Sequence, residues 1–316
     1  MARSVRIAKY LNHLGVDSML KSALGDDLTV FRFNDSTGWI TRDQISFDYV
    51  DGNIADQDWD LFIFDDIYTV TNYFEQPVRA QHHVWYCHGT YDTWLNAQIV
   101  FNMRFENVPL SAIFTDEYKH VMVDQWRKFP LQKTLTLPIA LSDNKFCTVP
   151  EKNSRVCTIG NDYNRVCSIY PRYETFAKPG IEQLMQRYAN CYDAYGWNGE
   201  VDGNIFGDFR RGSANIAQLG AWSASVHLSG VASIGFVLAE CFAAGIPVIS
   251  TPKYQLPCDG SWICAETVDQ VMSAVDDLLS HPVQARELGC AGQDMFKQNF
   301  GIDQYREKLR TWLTNL

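Results

Sequence analysis

The chain has 316 residues, 46% of them hydrophobic, which is enough for a buried core and for two domains of ordinary size. Its formal net charge of −10 and pI of about 5.1 argue against a protein whose main partner is a nucleic acid or an anionic membrane. The sequence contains no run of about 18 apolar residues, so we expect no transmembrane helix.

The cysteines and the first residues of the chain indicate a cellular compartment. There are nine cysteines, an odd number, and no two of them form a C-x-x-C pair. Cys157, Cys191 and Cys241 lie in apolar runs, which predicts buried thiols rather than disulfides or metal ligands. Residues 1–15 lack an apolar core and a small-residue cleavage site, so no signal peptide is expected. Together these features predict a protein of the reducing cytoplasm.

Strands and helices alternate along the whole chain. Strands are predicted at 4–11, 28–33, 60–66, 84–88, 111–115, 155–160 and 191–197. Helices are predicted from residue 17 or 18 to about 24, near 181–188, at 267–280 and at 302–315. This alternation is typical of an α/β fold with parallel sheets.

The stretch Ser225–Thr251 carries the strongest local signal. It predicts a strand at 225–228, a loop rich in glycine and serine, a helix at 236–244 and a second strand at 248–251. Gly245 lies where a glycine commonly ends a helix. In such a βαβ unit the loop directs free backbone N–H groups and the positive end of the helix at one point. This geometry suits a ligand that carries phosphate.

The same stretch resembles the nucleotide-sugar signature of the retaining glycosyltransferases of family 4, also called glycosyl transferases group 1. The family pattern is approximately E-G-F-G-x-x-x-x-E-A-x-A-x-G-x-P-V-I-A-T, and it is matched by Gly235, Glu240, Ala243, Gly245, Pro247, Val248, Ile249 and Thr251. The resemblance implies the GT-B fold, in which two Rossmann-like parallel-sheet domains face each other across a cleft. It places an N-terminal, acceptor-side domain at 1–150 and a C-terminal, nucleotide-sugar-binding domain at 151–316. The last helix of such proteins often crosses back to the first domain.

One departure from the family pattern removes a side chain with an assigned role. The spacing puts the first glutamate of the signature at Ala232, and in the family this glutamate contacts hydroxyls of the donor hexose. Alanine has no group that makes such a contact. Ser229, Ser233 or His227 would then take its place, or the sugar is unusual, or the protein binds a donor without transferring it.

The resemblance assigns roles in donor binding to residues of the second half. The second glutamate of the signature, Glu240, would accept hydrogen bonds from both ribose hydroxyls. Gly235 and Phe236 would offer backbone N–H groups to the diphosphate, and Gly160 would lie at the strand end that precedes the phosphate-gripping cation. Arg165 is the candidate for that cation, with Arg172 as the alternative.

Two further residues each have two possible roles. Trp197 would either stack on the nucleotide base or pack in the core. In the first half, Gly15 matches the glycine that approaches the donor diphosphate, and its alternative is an ordinary turn glycine.

His88, Asp65 and Asp66 lie at the carboxyl ends of predicted strands, where ligands bind in open α/β folds. In the family a histidine at the position of His88 lies near the transferred sugar, and the alternative is a half-buried histidine in a turn. The two aspartates would bind a metal or an acceptor, or simply begin a polar loop. His82 and His83 are expected to face solvent, and no cysteine or carboxylate accompanies the histidines at zinc-ligand spacing.

The activity that the resemblance implies is glycosyl transfer with retention from a UDP- or GDP-sugar, with no obligatory cofactor or metal. The catalytic residues would be His88, Arg165 and Glu240. The acceptor is a glycan, a lipid, a protein, a small molecule or, as in some phage enzymes, a modified DNA base. Two other classes remain open: a GT-B protein that does not transfer, such as an epimerase or a phosphorylase-like enzyme, and an inactive sugar-nucleotide binder.

Overall fold

The computed structural model describes most of the chain. The described residues are 5–11, 14–32, 45, 47–64, 78–87, 110–115, 131–160, 173–196, 220–228, 234–253, 256–257 and 259–316. The chain divides into two compact units, one formed by Met1–Pro138 with Ile302–Leu316 and the other by Ile139–Gly301. The sequence-based division into an acceptor-side domain at 1–150 and a nucleotide-sugar-binding domain at 151–316 stays a prediction. Among the described residues, no helix is long and apolar enough to span a membrane.

The described part of the first unit is built on a parallel sheet of seven strands in the order β3-β2-β1-β4-β5-β6-β7. The strands are β1 (Ile7–Tyr10), β2 (Leu28–Arg32), β3 (Val50–Asp51), β4 (Asp58–Phe64), β5 (Arg79–Cys87), β6 (Leu110–Thr115) and β7 (Thr134–Leu137). The last four residues of β4, Leu61–Phe64, are all buried, as expected for a strand of a parallel sheet that is covered on both faces. The strand order reverses between β1 and β4, which is the switch point of a Rossmann-like sheet.

Helix α1 (Leu14–Leu24) begins earlier than the sequence predicts, so Gly15 lies in its first turn and not in the turn before it. Asp17 explains the difference, because a carboxylate in the first turn stabilises a helix. Lys9 of β1 and Asp17 are both fully buried and form an ion pair with an Nζ–Oδ1 distance of 2.5 Å. A second correction concerns His83, which is buried rather than exposed to solvent, and burial lowers the pKa of its imidazole to about 4.

The described part of the second unit is built on a parallel sheet of five strands in the order β12-β11-β10-β8-β9. The strands are β8 (Val156–Gly160), β9 (Tyr192–Gly196), β10 (Ala224–His227), β11 (Val248–Ser250) and β12 (Ile263–Cys264). Its helices are α2 (Lys178–Arg187), α3 (Phe236–Ala243), α4 (Val268–Ser280) and α5 (Pro282–Phe300). Here the order reverses between β8 and β10, as in a flavodoxin-like sheet.

The predicted helix at 267–280 is confirmed, and it begins with a capping box. Thr267 accepts a hydrogen bond from the backbone N–H of Gln270, and the side chain of Gln270 accepts one from the backbone N–H of Thr267. Helix α5, in contrast, was not predicted from the sequence. Its Gly289 and Gly292 are poor helix formers, and they are present because the helix approaches its neighbours very closely.

The last helix, α6 (Ile302–Leu313), belongs to the first unit and is anchored on α1. Arg310 donates hydrogen bonds to the carbonyls of Ala23 (3.3 Å) and Leu24 (2.8 Å), and it pairs with Asp27 at 3.0 Å. Its guanidinium therefore satisfies carbonyls at the carboxyl end of α1, where a positive charge is favoured.

We expect Arg310→Ala to lower the free energy of unfolding by about 1–2 kcal/mol, because the guanidinium is half exposed and solvent weakens its ion pair. Denaturant titration of the purified variant measures this loss. Lys308→Ala on the same helix is the matched control, since Lys308 is exposed and its removal should change little. Equal stability of the two variants would contradict the anchoring role.

Candidate functional site

Helix α3 presents its amino end at the carboxyl edge of the second sheet, because it follows β10 in the chain and returns to β11. Its N-cap residue, Gly235, has extended backbone (φ −78°, ψ 167°) and is exposed. Within the described part of the chain, no side chain caps the helix at Gly235. The first N–H groups of the helix have no partners inside the helix, and they carry its positive end. This end is therefore suited to an anionic ligand.

The other end of α3 is closed by a Schellman motif. Gly245 has a φ of +65°, and its N–H donates to the carbonyl of Phe242 at 2.9 Å. The N–H of Ile246 donates to the carbonyl of Cys241 at 3.0 Å. Glycine is favoured here for two reasons: the left-handed backbone, and a Cβ that would lie 2.3 Å from Cγ2 of Val149. The predicted role of Gly245 in ending the helix is confirmed.

Two polar side chains hold the carbonyls at this closed end. The Nζ of Lys152 donates to the carbonyls of Gly245 (2.6 Å) and Gly220 (2.5 Å), which puts a cation at the negative end of the helix. The amide of Gln293 on α5 donates to the carbonyl of Ala243 at 2.6 Å. Helix α3 is thus fixed firmly at its carboxyl end, and this fixes the direction in which its amino end points.

Glu240 lies one turn into α3 and is half-buried. Burial raises the pKa of its carboxyl group, and the positive charge of Lys145 partly counteracts that increase. A carboxylate in this position can accept two hydrogen bonds from a neighbouring diol. Glu240 lies near the amino end of α3. A carboxylate that accepts hydrogen bonds and a helix end suited to an anion therefore belong to the same helix.

Polar residues lie within β10 and at the end of β11, beside α3. The Nε2 atom of His227 lies 2.7 Å from the Oγ of Ser225, which is 3.4 Å from the Sγ of Cys241 on α3. Ser250 at the end of β11 donates to the carbonyl of His227 at 3.0 Å. Burial lowers the pKa of His227 to about 3, and the nearby charge of Lys253 contributes to the decrease. His227 is therefore neutral at physiological pH.

The sheet topology brings several of the predicted residues to one edge. Gly160 ends β8 and pairs with Gly196 of β9, and β8 neighbours β10 at the switch point. Gly235, Phe236 and Glu240 follow β10 on α3. Gly15 lies in α1 of the other unit.

Other predicted residues lie outside the described part of the chain. They are Asp65, Asp66, His88, Arg165, Arg172, Trp197, Ser229, Ala232 and Ser233, whose roles stay predictions. Among the described residues, histidine, cysteine and carboxylate side chains form no group of three or more that is arranged to hold a metal ion.

The sequence reasoning missed Lys253. This lysine is 5% exposed and lies three residues beyond the end of β11. Its signal was available in the sequence, because a lysine that follows an apolar strand of a parallel sheet lies at the edge where ligands bind.

Solved structures match this chain over nearly its whole length. A sucrose-phosphate synthase from Thermosynechococcus elongatus is 14% identical, with a TM-score of 0.61 and coverage of 98% of both chains. HepE from Anabaena, crystallised in complex with UDP-glucose, is 12% identical, with a TM-score of 0.64 and coverage of 99% of this chain and 100% of that one. A glycosyltransferase from Rickettsia africae is 11% identical, with a TM-score of 0.55 and coverage of 99% of this chain and 98% of that one.

These similarities define the fold class. The chain has the GT-B fold, with one Rossmann-like parallel sheet in each unit, and the prediction of this fold is confirmed. No family model matches the sequence, and the search of curated proteins found no match. At identities of 14% or less the structural matches show the fold alone.

Proposed function

We propose that the protein is a glycosyltransferase that moves a sugar from a nucleotide-sugar donor to an acceptor with retention of the anomeric configuration. The observation that carries this proposal is helix α3, whose exposed amino end begins at Gly235 and whose first turns contain the half-buried Glu240. The helix adjoins the β8/β10 switch point, where ligands bind in open α/β sheets. The GT-B fold and the complex of HepE with UDP-glucose support the same class of donor.

The amino end of α3 binds the donor diphosphate in this proposal. Backbone N–H groups of Gly235 and Phe236 donate to phosphate oxygens, and the positive end of the helix favours their charge. Among the described residues, a Cβ at Gly235 would meet nothing within 4 Å. Arg165 would add a bidentate contact to the same phosphates.

The nucleoside part of the donor lies beside Glu240. Its carboxylate accepts hydrogen bonds from the two ribose hydroxyls, which explains why an acid stands in an otherwise apolar helix. Gly160, at the end of β8, leaves room for the backbone to approach the donor. Trp197 would then stack on the base.

The chemical step requires stabilisation of the leaving nucleoside diphosphate and of a carbocation-like sugar. The helix end would stabilise the charge that develops on the leaving phosphate, and the predicted roles of Arg165 and His88 would be to hold that phosphate and to contact the sugar. The donor phosphate assists deprotonation of the acceptor hydroxyl, so no protein nucleophile is needed. This arrangement is the one that the resemblance to family 4 implies.

A thermal-shift screen of UDP- and GDP-sugars tests donor binding. We expect one nucleotide class to raise the melting temperature, since a ligand at 100 times its Kd adds about 2.7 kcal/mol of stability. Nucleosides without phosphate are the matched control ligands, and they should raise the melting temperature little. The absence of any shift with every UDP- and GDP-sugar would contradict the proposal.

The replacement of the family glutamate by Ala232 favours a second candidate, a protein that binds the donor without transferring sugar. Release of the sugar distinguishes the two. An active transferase should release nucleoside diphosphate in the presence of an acceptor or, slowly, of water, whereas a binder should leave the donor intact.

We expect EDTA to leave donor binding and turnover unchanged, because backbone N–H groups, a helix end and an arginine neutralise the diphosphate in this proposal. Donor binding and turnover are measured with EDTA and without it. A third assay with Mg²⁺ in excess of the EDTA is the control. A strict requirement for a divalent cation would contradict the expectation and would favour a metal role for Asp65 and Asp66.

A further inference from the structure

Strand β10 ends in a histidine that lies on the same side of the sheet as α3. Val226 and Leu228 pack on the opposite side, in the apolar cluster that contains residues of α2 and α4. Alternate residues of a strand face alternate sides of its sheet, so Ser225 and His227 face α3. The distance of 3.4 Å between the Oγ of Ser225 and the Sγ of Cys241 on α3 agrees with this direction. The imidazole of His227 therefore belongs to the layer between the sheet and α3.

His227 is level with the first turn of α3. The contact between Ser225 and Cys241 fixes the level of the strand relative to the helix. Two residues of strand advance about 7 Å towards the carboxyl edge, and roughly four to five residues of a helix span that length. Because the helix of a parallel βαβ unit runs back along the sheet, His227 is level with Phe236 and Val237. These residues lie where the first N–H groups of α3 lack partners inside the helix.

The imidazole of His227 is held through one nitrogen. Its Nε2 lies 2.7 Å from the Oγ of Ser225, which is fully buried, whereas His227 itself is half-buried. Within the described part of the chain, Nδ1 has no hydrogen-bond partner. The two nitrogens of an imidazole point in nearly opposite directions, so Nδ1 faces away from Ser225. A buried hydroxyl thus orients a partly exposed ring beside the amino end of α3.

The hydrogen bonds around Ser225 assign the proton of the imidazole to Nδ1. Burial lowers the pKa of His227 to about 3, so the ring is neutral and carries one N–H at pH 7. The hydroxyl of Ser225 has two neighbours, the Nε2 of His227 and the thiol of Cys241. An imidazole nitrogen is a stronger acceptor than a thiol sulfur, so the hydroxyl donates to Nε2 and the thiol donates to the hydroxyl. Nδ1 then presents an N–H donor on the partly exposed side of the ring.

We infer that Nδ1 of His227 donates a hydrogen bond to an oxygen of the nucleotide-sugar donor, beside the first turn of α3; this inference rests on the proposed function. His227 is then a donor-binding residue, and Ser225 is the residue that positions it. The oxygen belongs either to the diphosphate or to the transferred sugar. A phosphate oxygen is charged, so a hydrogen bond to it contributes more to affinity than a hydrogen bond to a sugar hydroxyl.

Calorimetric titration of the whole chain with UDP and UDP-glucose, and with GDP and GDP-glucose, tests this. His227→Asn puts an amide N–H near the position of Nδ1, His227→Gln puts it near that of Nε2, and His227→Leu removes both. The Gln and Leu variants should bind roughly 10- to 100-fold more weakly if the oxygen is on phosphate, and roughly 2- to 10-fold more weakly if it is a sugar hydroxyl. The Asn variant should keep most of the affinity. His281→Leu, at an exposed histidine between α4 and α5, is the control.

A double-mutant cycle tests the positioning role of Ser225. Ser225→Ala should weaken donor binding in the wild-type background, because the ring loses the bond that orients it. The same substitution should have no effect on affinity in the His227→Leu background, since there is no imidazole left to position. An equal effect in both backgrounds would contradict the positioning role. Thermal unfolding without ligand checks that each variant folds.

The pattern of affinities decides the inference. Weaker binding of UDP and UDP-glucose alike by His227→Leu assigns Nδ1 to the diphosphate, and weaker binding of UDP-glucose alone assigns it to the sugar. Unchanged affinity of this variant for every ligand overturns the inference and leaves the proposed function intact. Failure of the wild-type protein to bind any of the ligands sinks the proposed function first.

Two further results separate Nδ1 from Nε2 and cover variants that do not fold. A loss of affinity in His227→Asn as large as that in His227→Leu contradicts the assignment of Nδ1. If the variants at position 227 do not fold, a wild-type structure with the bound donor decides. A distance from Nδ1 to a donor oxygen within about 3.2 Å supports the inference, and a clearly longer one refutes it.

Discussion

Replacement of Glu240 by alanine is expected to abolish the thermal shift that a nucleoside diphosphate gives the wild-type protein. The carboxylate would lose two hydrogen bonds to the ribose, and each hydrogen bond to a charged group contributes about 1.5–3 kcal/mol. The Kd for the nucleotide should therefore rise by at least roughly 100-fold. Calorimetric titration with UDP and GDP measures this change directly.

The control for this prediction is Glu287→Ala, which removes an exposed glutamate of α5 in the same unit. It should leave nucleotide affinity unchanged. A Glu240→Ala variant that binds nucleotide as tightly as the wild type would show that the ribose assignment is wrong.

Glu240 should also have a measurable signature in the stability of the free protein. Because burial raises the pKa of its carboxyl group above the ordinary value of 4.5, the folded state binds this proton more tightly than the unfolded state. Stability from this group therefore falls as the pH rises from 4.5 through the raised pKa. Glu240→Gln should lose that part of the pH dependence and unfold at an equal or higher temperature at pH 7. A lower melting temperature at pH 7 would instead indicate a structural role.

Replacement of Gly289 by alanine is expected to destabilise the second unit strongly. An added Cβ would lie 2.1 Å from the carbonyl oxygen of Gly245 and 3.0 Å from its carbonyl carbon. Both atoms belong to the backbone that ends α3 and has a φ of +65°, so they have little freedom to move. We expect a loss of at least about 3 kcal/mol in the free energy of unfolding.

Denaturant titration followed by tryptophan fluorescence measures this loss, since Trp222 and Trp262 are buried in the second unit. Gly52→Ala is the matched control, because a Cβ at Gly52 meets none of the described residues within 4 Å and should change stability by less than about 0.5 kcal/mol. Similar stabilities for the two variants would mean that α5 moves away from α3 at little cost.

Much of the fold is readable from local patterns in the sequence. Runs of β-branched and aromatic residues predict β2 and β4 to within about two residues, and the stretch around Glu240 predicts β10, α3 and β11 in order. The glycine that ends α3 is equally local, because a left-handed residue after a helix favours glycine whatever surrounds it. The capping box of α4 is also contained within four consecutive residues.

Contacts between residues far apart in the chain account for what the sequence did not reveal. Helix α5 contains Gly289 because it packs against Gly245, 44 residues earlier, and its own pattern favours a helix only weakly. His83 reads as a polar strand residue, yet the sheet and its surroundings bury it. Caps and periodicity act over a few neighbouring residues, so the sequence encodes them openly, whereas burial and charge at a site arise from pairing and packing of distant segments.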